Sequence, residues 1–253
     1  VVNKGSGTIS VINVHSNAID SGIPGGTITL PALPATSGTA PNPVWADLLP
    51  PAFAQMVVLS QGDGVHPGSL TTISIPLCNS QTPTTPPNPN CNASNPIDAA
   101  GFGTIVNTVT VGVNPTMVSA LQDGTDLRAY VVNQGILPIV DSSGNVTNAA
   151  QVQEGSISVV NLQTGTVIAT IPGVSNPTTV ESLNNAAVNG GAVANFVFGH
   201  PNTVVAISGI PAGKVYSTST DSKYLTVVKT DTESVVTHIS LQGMGIRVLG
   251  TAK

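Results

Sequence analysis

Six acidic and histidine side chains could take part in binding or catalysis, because each lies in a segment that we expect to be a loop. They are Asp63, His66, Asp141, Glu154, Glu181 and His200. A metal site or an acid–base pair would need several of them to converge. Structural roles are simpler, since Asp63 lies in a Gly-rich turn and both histidines precede a proline at a predicted strand start. We predict no catalytic residue, no metal and no cofactor. The six residues are instead assigned to a binding surface, because the loops that carry them are expected to share one face.

The motifs of common enzyme classes are absent from the chain. It has no P-loop, no GxSxG, no HExxH, no dinucleotide-binding fingerprint and no CxxCH haem-attachment motif. The segment DSSGN at 141–145 alternates oxygen-bearing side chains as a calcium loop does. It lacks the acidic density and the terminal bidentate carboxylate of such loops, so we do not expect calcium there.

The composition indicates a β protein covered by uncharged polar residues. Charged residues make up 8% of the 253, against about 25% in an average soluble domain. Hydrophobic residues reach 40% with only 3% aromatic, and 26 Gly and 20 Pro supply many turns. The net charge is −5 and the seven basic residues are scattered, which excludes a basic stripe for nucleic acid. No apolar run approaches the ~20 residues of a membrane helix, so we predict no membrane span.

The low-charge composition of the chain suggests an exported protein. Cys78 and Cys91 flank a Pro/Asn/Thr-rich loop, and in an exported protein they would form a disulfide; the alternative is two free thiols. We expect a periplasmic, cell-surface or extracellular location. The chain has no initiating Met and begins at Val1 inside a predicted strand, so we expect a processed protein or part of a longer gene product.

These residues must be positioned by a repeated unit. The segment 115–133 aligns without a gap with 201–219, placing Arg128 over Lys214 and Tyr130 over Tyr216, and it also fits 43–61. The segment 156–172 matches 223–241 and, with a longer turn, 7–31. Alternating apolar and polar residues in these segments predict strands with one more deeply buried face. Each unit therefore contains four predicted strands in a repeat that, without insertions, is about 40 residues long, which is typical of a β-propeller blade.

Several motifs resemble those of the YVTN family of β-propeller repeat proteins, which is related to lactonase-like propellers. They are AYVVNQ (129–134), GSISVVNLQTGTVIATIPG (155–173), NPT (114–116 and 176–178) and KVYSTS (214–219). The chain departs from the family pattern at MVVLSQ (56–61) and at KVYSTS itself. The resemblance implies a propeller of about seven blades and says little about function.

We predict a single all-β domain over 1–253, a β-propeller of four-stranded antiparallel blades. The four blades are 245–252 with 1–31, 43–112, 115–172 and 200–242, so that the N- and C-terminal strands share one blade. Insertions lie at 77–104, 134–154 and 173–199. Two alternatives stay open, a small ring with large insertions and part of a larger ring. Loops after the second and fourth strands of each blade should share one face, where 134–154 and 173–199 would lie together.

Two hypotheses of function follow from different classes of protein. We favour a non-enzymatic, exported or cell-surface propeller that serves as a binding or structural scaffold. Its partner would be a protein, an envelope or extracellular polymer, or other copies of itself. The alternative, implied only by the resemblance, is a lactonase-like hydrolase with a divalent metal in the central channel.

Overall fold

The computed structural model describes most of the chain outside the long loops. The described residues are 1–13, 16–20, 23–35, 38–50, 54–76, 91–92, 95–99, 101–172, 199–243, 245 and 247–250. Within them the chain is built of β-strands, with one short 3-10 turn at Pro24–Gly26. No helix in this part of the chain is long and apolar enough to cross a membrane.

The strands form four successive antiparallel sheets and two small hairpins. Sheet 1 contains β1 (Val2–Asn3), β2 (Thr8–Ser10) and, after the hairpin of β3 (Ile12–Asn13) and β4 (Ala18–Ile19), β5 (Thr27–Thr29). Sheet 2 contains β6 (Pro43–Leu48), β7 (Gln55–Ser60), β8 (Pro67–Ser74) and, after the hairpin of β9 (Cys91–Asn92) and β10 (Asn95–Ala99), β11 (Thr104–Val113). Sheet 3 contains β12 (Pro115–Asp123), β13 (Asp126–Asn133), β14 (Ser156–Asn161) and β15 (Thr166–Pro172). Sheet 4 contains β16 (Pro201–Ile207), β17 (Lys214–Ser219), β18 (Tyr224–Lys229) and β19 (Ser234–Ser240).

The predicted all-β class and the four-stranded antiparallel sheets are confirmed. In sheets 2, 3 and 4 the strands are hydrogen-bonded in chain order, from the first strand at one edge to the fourth at the other. The first strands of adjacent sheets contact each other, and we call them the inner strands. The first strands are β6, β12 and β16, and each begins at a proline. The arrangement of these sheets around a closed propeller axis stays a prediction at this point.

Strand β13 shows how the sequence buries both faces of a sheet. Ala129 and Val131 belong to the apolar core between sheets 2 and 3, together with Leu59 and Leu70. Because side chains alternate along a strand, their neighbour Tyr130 points the other way. It belongs to the core between sheets 3 and 4. Strands β12, β13 and β14 of sheet 3 are thus covered on both faces, whereas β15 is mostly exposed.

A third core lies between sheets 1 and 2 and completes the stacking order. It contains Ile9 and Ile28 from sheet 1 and Val58 and Ile73 from sheet 2. The sheets therefore pack face to face in chain order, and each one covers the next. A four-stranded sheet cannot bury both faces alone, so this stacking provides most of the hydrophobic stabilisation.

Neighbouring inner strands are joined by a contact that recurs at the same repeat position. Asp47 stands four residues after Pro43, and its Oδ2 accepts the N–H of Ala120 at 2.9 Å. Ser119 stands at the same place in β12, and its Oγ accepts the N–H of Ala206 at 3.1 Å. Strands β6 and β12 thus each supply a side-chain acceptor to the backbone of the next first strand, which fixes the offset between sheets 2, 3 and 4.

The predicted strand at 245–252 is not part of a β-ladder among the described residues. Residues 245 and 247–250 lie against sheet 4, where the N–H of Val248 donates to Thr203 Oγ1 at 3.0 Å. Sheet 1 correspondingly has three described strands, with β1 hydrogen-bonded to β2. The sharing of one blade by the N- and C-terminal strands therefore remains a prediction.

Candidate functional site

The insertion face is the end of the stack at which the inner strands begin and the second strands end. We define it by Lys4, Gln61, Asn114, Gln134 and His200. Because second strands end there in an antiparallel sheet, the loops at 61–66 and 134–155 leave from this face.

A repeated turn builds the insertion face at sheet 3. Asn114 has a φ of 52°, a conformation that Asn tolerates better than most residues. Its carbonyl oxygen accepts the N–H of Gln134 at 2.9 Å, and its Nδ2 donates to the carbonyl of Gly135 at 3.1 Å. The N–H of Gly135 returns to the carbonyl of Val113 at 3.0 Å. The start of the first strand is thereby tied to the end of the second.

Sheet 2 has the same turn at the equivalent residues. Asn42 has a φ of 46°, accepts the N–H of Gln61 at 3.0 Å, and donates from Nδ2 to the carbonyl of Gly62 at 2.8 Å. The Asn-Pro and Gln-Gly dipeptides are therefore two halves of one structural device. The alignment of 43–61 with 115–133 is one residue out of register here, since it places Gln61 over Asn133. The structure pairs Pro43 with Ser60 where it pairs Pro115 with Asn133, so Gln61 is equivalent to Gln134.

Replacing Gly135 with alanine is expected to destabilise the protein by about 2 kcal/mol. The residue has a φ of 73°, and a Cβ would lie 2.2 Å from the carbonyl oxygen of Gln153. The left-handed conformation costs a non-glycine residue roughly 1–2 kcal/mol, and the clash with backbone adds to this. Urea unfolding of the two proteins measures the difference.

Gly124→Ala is the matched control for this substitution. Gly124 also has a positive φ, 62°, but nothing lies within 4 Å of the added Cβ. It should therefore cost about 1 kcal/mol, from the backbone conformation alone. Equal losses for the two variants would show that the close approach of Gln153 has no energetic consequence.

Polar side chains form a continuous hydrogen-bonded chain across sheets 1, 2 and 3. Lys4 Nζ donates to Gln61 Oε1 at 2.8 Å, and Gln61 Nε2 donates to Asn114 Oδ1 at 2.5 Å. Asn114 Nδ2 in turn donates to Gln134 Oε1 at 3.3 Å. Gln61 and Gln134 each follow the last residue of a second strand, and Lys4 follows the last residue of β1. The hydrogen-bonded chain connects adjacent sheets at the surface.

Asp63 and His66 are the one pair of predicted site residues for which the described residues show a direct contact. Asp63 Oδ1 accepts the N–H groups of Val65 and His66 at 3.0 and 2.9 Å, and Oδ2 lies 2.7 Å from His66 Nδ1. The backbone N–H and then the side chain of His66 hold the pKa of Asp63 well below its usual range. Both side chains are exposed. A Cβ on Gly64 would lie 3.7 Å from Asn114 Oδ1, so this loop adjoins the polar chain.

His200 is buried and held by an aspartate that sequence reasoning missed. The residue is only 2% exposed, and its Nδ1 lies 2.6 Å from Asp221 Oδ2. Its N–H also donates to Asp221 Oδ1 at 3.0 Å. Asp221 stands two residues after Ser219, the position that Gly62 and Gly135 occupy in the earlier repeats. The pair therefore replaces the Asn–Gly turn in sheet 4, and the repeat alignment could have revealed it.

The remaining predicted residues are spread along the insertions. Asp141 Oδ1 accepts the N–H groups of Ser143 and Asn145, both at 2.9 Å, and the N–H of Asn145 is the main cause of its lowered pKa. Glu154 is exposed beside Gly155, which packs close to Gly199 and so places Glu154 near the start of sheet 4. Glu181 and Cys78 lie outside the described residues, and only the backbone of Cys91 is described. The predicted disulfide stays a prediction.

The insertion face offers a set of hydrogen-bonding side chains. It carries the exposed Lys4, the half-buried amides of Gln61, Asn114 and Gln134, and the exposed Asp63–His66 pair. Across the described ranges, no three His, Cys, Asp or Glu side chains are grouped so that they could hold a metal ion. Such a surface can bind a polar partner by hydrogen bonds and weak electrostatic contacts.

An ionic cluster lies at the opposite end of the stack, and sequence reasoning did not predict it. Arg128 Nη1, on β13, donates to Glu233 Oε1 and to the carbonyl of Thr230, and Nη2 lies 2.6 Å from Asp126 Oδ2. Tyr130 OH donates to Glu233 Oε1 at 3.2 Å. The Arg128 and Glu233 side chains are only 15% and 13% exposed. This cluster joins sheet 3 to the β18–β19 turn of sheet 4.

The burial of Glu233 makes a pH-dependent contribution to stability. Burial raises its pKa above the ordinary value of 4.5, although Arg128 opposes the shift. The folded state therefore holds this proton more tightly, so the contribution is greatest at low pH and declines as pH rises above about 4.5. Relative to Glu233→Gln, which cannot titrate, the wild type should lose stability across that window in urea unfolding. A constant difference between the two proteins would contradict this. Glu154→Gln controls for the loss of one exposed acid.

Comparison with models of known protein families gives no match for this chain, and comparison with curated proteins gives none either. The YVTN resemblance therefore rests on the sequence motifs alone.

Proposed function

We propose that the protein is a non-enzymatic, exported β-propeller scaffold whose insertion face binds a protein or an extracellular polymer. One observation carries the proposal. Gln61 and Gln134, which stand at one repeat position, contribute with Lys4 to a hydrogen-bonded chain that crosses three sheets. A scaffold that repeats one surface position from sheet to sheet suits an extended partner.

The C-terminal segment supports closure of the stack into a ring. Arg247 stacks on Trp45 of β6, with its guanidinium carbon 5.8 Å from the ring centroid. The N–H of its neighbour Val248 donates a hydrogen bond to Thr203 Oγ1 of β16. Trp45 and Thr203 each stand two residues after the leading proline of their sheet. The segment thus contacts the inner strands of sheets 2 and 4 at one level, as the inner strand of a fourth blade would.

Sheet 1 supplies the rest of that blade in this proposal. Its strand β1 is the second strand of its repeat, and it pairs with β2. Val2 packs on the core shared with sheet 2. Residues 245–250 would take the vacant first position beside β1 and complete a small ring of four blades.

The choice of a binding role over catalysis rests on the chemistry of the described groups. His200 is enclosed by Asp221 and sheet 4, and Asp141 is engaged by its own loop. The exposed Asp63–His66 pair is suited to contacting a polar partner. The low charge of the chain supports export, and in that setting we propose a Cys78–Cys91 disulfide.

Binding and turnover can be tested with the same set of proteins. Wild type and the Asp63→Ala/His66→Ala double variant are co-sedimented with insoluble polysaccharide and cell-wall material. Asp231→Ala/Lys229→Ala, which removes an exposed pair on sheet 4, is the matched control. We expect the insertion-face variant alone to lose binding. Absence of binding by the wild type, or hydrolysis of sugar lactones that chelation abolishes, would overturn the proposal.

A further inference from the structure

The inner-strand position beside β16 is occupied by a segment with a specific fit. Gly245 and Gly250 are the points of close approach: a Cβ at 245 would lie 2.7 Å from Thr218 Cβ, and one at 250 would lie 2.4 Å from Val205 Cγ2. Thr218 and Val205 belong to β17 and β16. Side chains at either glycine would push the segment away from sheet 4. The surface of sheet 4 therefore selects a strand with small residues at these two places.

The same segment is held by few polar contacts. Its backbone donates from Val248 to Thr203 Oγ1 at 3.0 Å and, at the long distance of 3.5 Å, from Gly245 to the carbonyl of Ser222. Arg247 adds the stacking contact with Trp45, worth about 0.5–1 kcal/mol where exposed. Sheets 2, 3 and 4 are instead joined internally by ladders of backbone hydrogen bonds. A segment held this way opens at lower free energy than the sheets themselves.

In the closed ring proposed above, the segment would also lie beside the β1 edge of sheet 1. Among the described residues, β1 is hydrogen-bonded on one side only, to β2. An edge with free N–H and C=O groups pairs readily with an extended chain. In that ring the segment lies between β1, an edge that is hydrogen-bonded on one side, and the selective surface of sheet 4. We name this position, between β1 and β16, the strand slot.

We propose that the strand slot also takes residues 243–253 of a second copy of this chain, so that copies assemble by exchanging this strand. The proposal rests on the ring closure described above and names one partner of the scaffold. This segment is the expected occupant because its own residues Gly245, Val248 and Gly250 already contact sheet 4 within one chain. Intramolecular seating competes, because a short linker gives an effective concentration in the millimolar range. Exchange is therefore expected at high local concentration or when the segment is displaced within its own chain.

Gly245→Val tests the slot, and Gly243→Val is its matched control. The first should unseat the segment and open the slot in the full chain. The second adds the same bulk where nothing lies within 4 Å. The probe is a fluorescent peptide, GMGIRVLGTAK, corresponding to residues 243–253. Peptides carrying the same two substitutions complete the set.

The expected result is peptide binding by the Gly245→Val protein at least roughly tenfold tighter than by wild type or Gly243→Val, a difference of about 1.4 kcal/mol. The Gly243→Val peptide should bind as the native one does, and the Gly245→Val peptide should not. In sedimentation velocity, concentrated wild type should form dimers that excess native peptide disperses. Failure of the native peptide to bind a folded Gly245→Val protein overturns the proposal. If that variant does not fold, Arg247→Ala, which loosens the segment without adding bulk, replaces it.

Two further outcomes distinguish failure of the strand-exchange proposal from failure of the proposed role of the insertion face. Binding of the peptide by a wild type that stays monomeric at all concentrations would show that only the chain's own segment uses the slot, and would overturn exchange between copies. The Asp63→Ala/His66→Ala variant should bind the peptide as wild type does. Polymer binding that persists in this variant, with peptide binding intact, would reject the role of the insertion face alone.

Discussion

Arg128→Ala is expected to lower the free energy of unfolding by about 3–5 kcal/mol, the usual cost of removing one partner from a buried ion pair. The guanidinium contacts Glu233, Asp126 and the carbonyl of Thr230. Its loss would leave Glu233 buried beside Tyr130 without a positive charge. For a chain of this size each kcal/mol corresponds to a shift of about 2–4 °C in Tm, so thermal unfolding would detect the loss readily.

The matched control for Arg128→Ala is Lys229→Ala. Lys229 lies 2.6 Å from Asp231, and both side chains are at least one-third exposed. Exposed pairs of this kind are screened by water and salt, so we expect no measurable change in Tm. Equal effects of the two substitutions would show that the link between sheets 3 and 4 does not depend on the buried cluster.

Leu59→Ala is expected to cost about 2–5 kcal/mol, because it opens a cavity in the core between sheets 2 and 3. Leu59 is fully buried on β7 and packs with Val131 of the neighbouring sheet. The side chain is enclosed by two sheets, so the surrounding strands can collapse into the space only in part. Urea unfolding measured at neutral pH gives the change in free energy.

The same substitution at Leu48 supplies the control. Leu48 lies on β6 of the same sheet but is 46% exposed. Its replacement should change the unfolding free energy by well under 1 kcal/mol, since surface substitutions have small effects. A large loss at Leu48, or a negligible one at Leu59, would contradict the face-to-face packing of sheets 2 and 3.

The sheets could be predicted from sequence because their information is local and repeated. The alignment of 115–133 with 43–61 and 201–219 located the first two strands of sheets 2, 3 and 4. Two-residue alternation then separates Ala129 and Val131 from Tyr130, which the structure places in different cores. A strand's own residues carry this pattern, so no knowledge of distant contacts is needed.

The candidate site was predicted less well because its contacts join distant parts of the chain. Lys4 and Gln61 are 57 residues apart, and Arg128 and Glu233 are 105 apart. The residue types alone do not show which of these distant side chains are in contact. His200 was chosen for its chemistry, yet its position equivalent to Asn114 in the repeat was the better guide to its role. The repeat register, applied to every position, would also have identified Asp221.

A crystal structure of the chain tests the central claim most directly, because it counts the sheets and shows where residues 245–250 lie. We predict four sheets around one axis, with 245–250 between β16 and β1 and with Arg247 against Trp45. An open arc, in which 245–250 lie away from β6 and sheet 1 stands apart from sheet 4, would contradict the closed ring.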